Sequence, residues 1–103
     1  MQVPVAASKQ EAVKAAIDEV VEAFAPNVIY IRYNFDEDWI GDPAIYFRVL
    51  LSDEASKEEN RHTIAVRIRR MLDDRLDFRE MGYSYVRFRS LSEQQMMKDL
   101  DWA

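Results

Sequence analysis

The spacing of apolar positions along the chain switches three times, and each switch marks a new element. Val13, Ile17, Val20, Val21 and Phe24 stand at i, i+4, i+7, i+8 and i+11, with Lys14, Asp18, Glu19 and Glu22 on the other side. This is one apolar stripe on a 3.6-residue helix, and Pro26 ends it because proline disfavours helical geometry in the residue before it. A second stripe, Ile64, Ile68, Met71, Leu72 and Leu76, predicts another helix. Its wet side carries Arg67, Arg70, Asp73, Asp74 and Asp77, and Gly82 supplies a left-handed stop after it.

Elsewhere the period is two, the signature of a half-buried strand. Ile29, Ile31, Tyr33 and Phe35 share one face of residues 28–35, and Ile45, Phe47, Val49 and Leu51 share one face of residues 44–52. In residues 83–90 the alternating set is Ser84, Val86, Phe88 and Ser90. Three segments, Ser8-Lys-Gln-Glu11, Ser56-Lys-Glu-Glu59 and Ser90-Leu-Ser-Glu93, read as capping boxes that open helices.

The expectation is a single α+β domain over residues 1–103, a two-layer αββαβ sandwich with peripheral arms at 1–7 and 91–103. Its three-stranded antiparallel sheet takes the order 2-1-3, with two helices on one face and a short C-terminal helix. The first two strands form a hairpin closed by residues 36–43, and a right-handed crossover brings the third antiparallel to the first. A further strand at residues 2–5 would complete a ferredoxin-like βαββαβ pattern, although Pro4 would remove a ladder donor there.

Composition narrows the functional classes. The 103 residues fit one core, and the absence of cysteine excludes thiol catalysis, thiolate metal sites and disulfides. No apolar run approaches the roughly 20 residues that span a bilayer. The N-terminus lacks the charged and apolar regions of a secretory signal, so the expected location is cytoplasmic. The net charge of −5 is unevenly spread: residues 1–60 are acidic, residues 61–89 hold 8 Arg against 4 acids, and the tail is acidic again. Overall acidity opposes non-specific binding to polyanions but leaves room for a local Arg-rich surface.

Two segments carry candidate chemistry. The hairpin loop Asp36-Glu37-Asp38-Trp39-Ile40-Gly41-Asp42-Pro43 gathers four carboxylates around Trp39 and Ile40. Asp36, Asp38 and Gly41 begin an EF-hand spacing that fails where Ile40 and Phe47 replace oxygen ligands, so Asp36, Asp38 and Asp42 are only weak metal candidates. Trp39 either folds over the edge of the core or stands out as an aromatic anchor rimmed by charge. The second segment is the sheet face away from the helices, where alternation collects Tyr30, Arg32, Tyr46, Arg48, Tyr83, Tyr85, Arg87 and Arg89. Tyrosine rings can stack bases and guanidiniums can bind phosphate. The same face also suits cross-strand pairs in water, a protein partner, or a second copy of the chain.

The remaining features favour bland readings. Arg69–Asp73 and Arg70–Asp74, four residues apart, predict a self-neutralised helix face, and His62 stands without a nucleophile motif. With only Gly41 and Gly82, no phosphate-binding Gly-rich loop can form. The tail, with Met96, Met97 and Trp102, is too short to be a stable helix alone and must dock, on its own sheet or on a dimer mate. The reading is a small acidic non-enzymatic interaction or regulatory module of the kind seen in bacterial accessory, inhibitor-like or antitoxin-like proteins. It needs no cofactor or membrane and acts on a protein partner or as a homodimer. The alternative is a single-stranded nucleic-acid-binding domain.

Overall fold

The structure is a computed structural model that describes residues 5–102. Helix α1 runs Val5–Ala23, strands β1 and β2 run Val28–Glu37 and Pro43–Leu51, and helix α2 runs Glu58–Arg75. A one-turn helix α3, Phe78–Met81, precedes strand β3, Tyr83–Ser90. The chain continues directly into helix α4, Leu91–Met97, and a 3₁₀ turn, Leu100–Trp102. The extra strand considered at 2–5 lies outside the described residues, except for Val5, which opens α1.

The fold is α+β with a three-stranded mixed sheet in the order β1-β2-β3. The expected order 2-1-3 is therefore corrected. β1 and β2 pair antiparallel, but β3 lies beside β2 and parallel to it. A parallel pair requires a crossover, and α2 provides one. Gly82 shows why β3 starts there. At φ +88° its backbone lies so close to β2 that a Cβ would sit 2.2 Å from the Pro43 carbonyl oxygen. Only glycine allows that approach, and it places the start of β3 against the start of β2.

One buried cluster organises the interior. It takes Val13, Ala16, Ile17 and Val20 from α1, Phe24 from the turn that follows it, and Ile68 and Leu72 from α2. The sheet contributes Val28, Ile31, Ile45, Phe47, Val49 and Leu51. Phe47, Ile68 and Leu72 have no exposed surface, and each such side chain stabilises by about 1.5–3 kcal/mol relative to water. The Arg75 guanidinium donates to Glu19, joining α2 to α1.

Several local expectations change. A register shift between Val28 and Tyr30 makes a bulge, so Val28 enters the core while Ile29 is 40% exposed. The extra residue reverses the inside–outside phase at that point. Ser8 lies within α1, which begins three residues earlier, and so is not its cap. At α2 the cap is Lys57, whose side chain makes no capping hydrogen bond and pairs with Glu54 instead (2.9 Å). Ser56 is held in the preceding turn, its amide N–H donating to the Ser52 carbonyl (3.1 Å). Ser90 does form the full capping box: Glu93 N–H donates to its Oγ at 3.0 Å, and its own N–H donates to Glu93 at 3.3 Å.

Candidate functional site

The hairpin tip is built around Asp38, which is 9% exposed. Its Oδ1 accepts from the amides of Ile40 (3.1 Å) and Asp42 (2.9 Å), and its Oδ2 accepts from the Tyr85 hydroxyl (3.3 Å). The Asp38 amide donates to the Asp42 carbonyl, and Gly41, at φ +85°, donates to the Asp38 carbonyl. An aspartate bonding amides further along its own loop is the means by which short polar side chains fix turns. Loss of solvent, then the neighbouring Asp38 carboxylate, push the Tyr85 phenol above its ordinary pKa. What this frame presents is apolar: Trp39 is 91% exposed and Ile40 60% exposed. Trp39 does not fold over the core.

Both Asp38 oxygens are thus occupied, Oδ1 within the loop and Oδ2 by Tyr85 of β3, and Asp36 Oδ1 accepts from the Glu37 amide. Among the described residues no group of three or more His, Asp or Glu side chains is placed to hold a metal ion. Asp38 was read from the sequence as a weak metal candidate. Its structural role is that of a clamp, and Gly41 three residues later was the available signal.

Strand register orders the second surface into rows. From the hairpin inward they are Asp36–Ala44–Tyr83, Asn34–Tyr46–Tyr85, Arg32–Arg48–Arg87 and Tyr30–Leu50–Arg89. Three arginines therefore stand side by side across three strands. Like charges directly opposite destabilise a sheet, so their neighbours matter. Arg48 donates to Asn34, and its Nε is buried without a partner. The Arg32 guanidinium lies over the Tyr30 ring at 4.5 Å. Tyr46 and Tyr85 stack with centroids 5.2 Å apart and planes at 17°.

The C-terminal segment closes one end of this face. Lys98 adopts φ 49°, a left-handed cap that turns the chain out of α4. The tail then returns so that the Tyr30 hydroxyl donates to the Trp102 carbonyl. Arg89 lies over the Trp102 ring at 4.3 Å and reaches Asp99 at 3.5 Å and Gln94 at 2.8 Å. Trp102 is 5% exposed. Leu50, between Tyr30 and Arg89 in the last row, is 2% exposed although it belongs to the face opposite the main cluster. The start of α4 is anchored by Asp53, which accepts from the Ser92 amide (3.0 Å) and hydroxyl (2.5 Å). Those Ser92 bonds hold the Asp53 pKa below the ordinary carboxylate value.

The two edges of the sheet differ. At β3 the carbonyls of Val86 and Phe88 accept from Arg69 (3.4 Å) and Arg61 (3.1 Å) of α2. Arg61 also meets Glu93, and Arg69 lies over Phe88. These contacts take the place of the expected Arg69–Asp73 pairing. Arg61, His62, Ala65 and Arg69 wall an open groove of about 700 Å³ between α2 and β3. At β1 there is no neighbouring strand on the outer side among the described residues.

The structure thus gathers Tyr30, Arg32, Tyr46, Arg48, Tyr85, Arg87, Arg89 and Trp102 on one face and places Trp39 and Ile40 apart, at the hairpin tip. Asn34, Leu50, Asp53 and Ser92 complete the surfaces. Their roles depend on strand register and on the returning tail, which a linear pattern does not show. Among the described residues no helix is long and apolar enough to cross a membrane. Comparison with protein-family models, with curated proteins and with solved structures finds no match.

Proposed function

We propose that the protein is a non-enzymatic interaction module that docks by its hairpin tip into an apolar pocket on a protein partner. The observation that carries this is Trp39, 91% exposed on a loop clamped by Asp38. A large indole held in water stabilises nothing in the free protein. On a fixed loop it can be buried with little further loss of chain entropy. Tryptophan is among the residues that most often dominate interface energetics. Asp36, Glu37 and Asp42 surround it and are exposed, so the partner's pocket should have a basic rim. An accessory, inhibitor-like or antitoxin-like role in the cytoplasm fits this chemistry.

The test is quantitative recovery of partners at native abundance by the wild-type chain and by Trp39→Ala. The reading expects at least one protein whose recovery falls about tenfold or more in the variant, as for loss of a hot-spot side chain. Equal recovery by both chains, or no partner for the wild type, would overturn it.

The Arg32–Arg48–Arg87 row beside the Tyr46–Tyr85 pair supports a second reading, a single-stranded nucleic-acid surface. It expects salt-dependent binding of single-stranded RNA that Arg48→Ala and Tyr85→Ala weaken. No binding at low salt disposes of it.

A further inference from the structure

Strand β1 is ten residues long, borders the sheet and carries both charge signs in order, with Arg32 in its first half and Asp36 and Glu37 in its second. The direction of its backbone groups follows from the hairpin. The Asp38 amide donates across to Asp42, continuing the unbroken register in which Glu37 faces Pro43 and Ile31 faces Val49. Successive residues alternate in direction, so Asp36, Asn34 and Arg32 bond β2. The amides and carbonyls of Ile31, Tyr33 and Phe35 then point to the outer edge, whereas the Glu37 amide donates to Asp36 Oδ1 (2.7 Å) and its carbonyl accepts from the Tyr46 hydroxyl (3.2 Å). Natural sheets cover, charge or shorten such edges to prevent strand addition. The β3 edge is treated in this way, by Arg61 and Arg69.

We propose that the β1 edge is covered by a second copy of the chain, the two β1 strands pairing antiparallel about a two-fold axis at Asn34. Parity allows only pairings in which outward-pointing residues meet one another. Centring on Asn34 bonds Tyr33 to Phe35 of the other copy and Phe35 to its Tyr33. It sets Arg32 opposite Asp36 twice, by symmetry, in the non-bonded positions where Cα atoms approach to about 4.5 Å. Centring on Arg32 would oppose two arginines. Centring on Tyr33 would oppose Arg32 to Asn34 and forgo the ion pair. Charge complementarity therefore selects one register, and self-complementarity is what a two-fold interface requires. The result is a six-stranded sheet whose two Tyr/Arg faces are contiguous and whose two Trp39 tips leave from opposite ends.

Sedimentation velocity tests this with the wild-type chain and three variants: Arg32→Asp, Asp36→Arg and the combined exchange. Each reversal sets like charges opposite one another twice, and should raise the dimer dissociation constant by about tenfold or more. The combined exchange restores opposite charges and should restore dimerisation, which also separates the effect from misfolding. Trp39→Ala should leave the dimer intact, so this inference can fail independently of the docking reading. A wild-type chain that stays monomeric at its highest soluble concentration overturns the proposal. So does a dimer that survives both single reversals, or one that the exchange does not recover.

Discussion

β1 and β3 are both border strands of one small sheet, yet their surroundings are opposite. β3 is reached through a helix, begins at a glycine pressed against β2, and has two carbonyls held by guanidiniums of α2. Past its end, α4 and the tail fold back and bury Trp102. β1 is joined to β2 by a hairpin and is interrupted by a bulge, and no described strand pairs with its outer side. The lesson is that edge protection here is local: one helix supplies arginines to one edge. The other edge instead carries a self-complementary charge order.

The comparison can be broken hardest at Gly82. Gly82→Ala would drive a Cβ into the Pro43 carbonyl at a positive φ, at a cost of roughly 3 kcal/mol or more. Thermal unfolding should show a large fall in midpoint, with β3 detached and the β1–β2 hairpin the least affected part in hydrogen exchange. Next in size, Trp102→Ala removes the buried ring beneath Arg89 and should cost about 3 kcal/mol in urea unfolding. Substituting Arg61 and Arg69 together by Ala removes the carbonyl bonds at the β3 edge, at about 1 kcal/mol each. It makes that edge resemble β1, so new concentration-dependent association should appear even in the Arg32→Asp background.

The smallest effect concerns pH. The Asp53 pKa is depressed in the folded chain by Ser92. Its contribution is therefore present above the unfolded carboxylate pKa and is lost as pH falls through the lower folded value. In Ser92→Ala the Asp53 titration, followed by NMR, should move up towards that of a free aspartate. The acid loosening of α4 should then shrink without vanishing, since the hydroxyl bond is gone but the backbone amide at position 92 still donates to Asp53.

Much of this architecture was legible in the apolar pattern because it depends on neighbours a few residues apart. Val13, Ile17, Val20 and Phe24 are buried as their helical spacing predicts, and Ser90 caps α4 through a four-residue motif. Ile29 was misplaced because a bulge inserts one residue without any residue type to mark it. The strand order was misplaced for a different reason. Crossover pairing is decided by tertiary approach, and Gly82, legible as a helix stop, gave no sign of its contact with Pro43. Alternation alone could name the Tyr/Arg residues of the open face. The arginine row required the β1–β2 and β2–β3 registers, and the position of Trp102 required knowing that Lys98 turns the chain back.

The two tryptophans have an experimental consequence. One indole stands in water at the hairpin tip and the other is buried beneath a guanidinium at the far end of the sheet. Their fluorescence should separate into a long-wavelength component open to aqueous quenchers and a short-wavelength component shielded from them. Docking at the tip would shift and protect the first alone, whereas release of the tail would redden the second. The unmodified chain therefore carries a separate optical reporter for each surface.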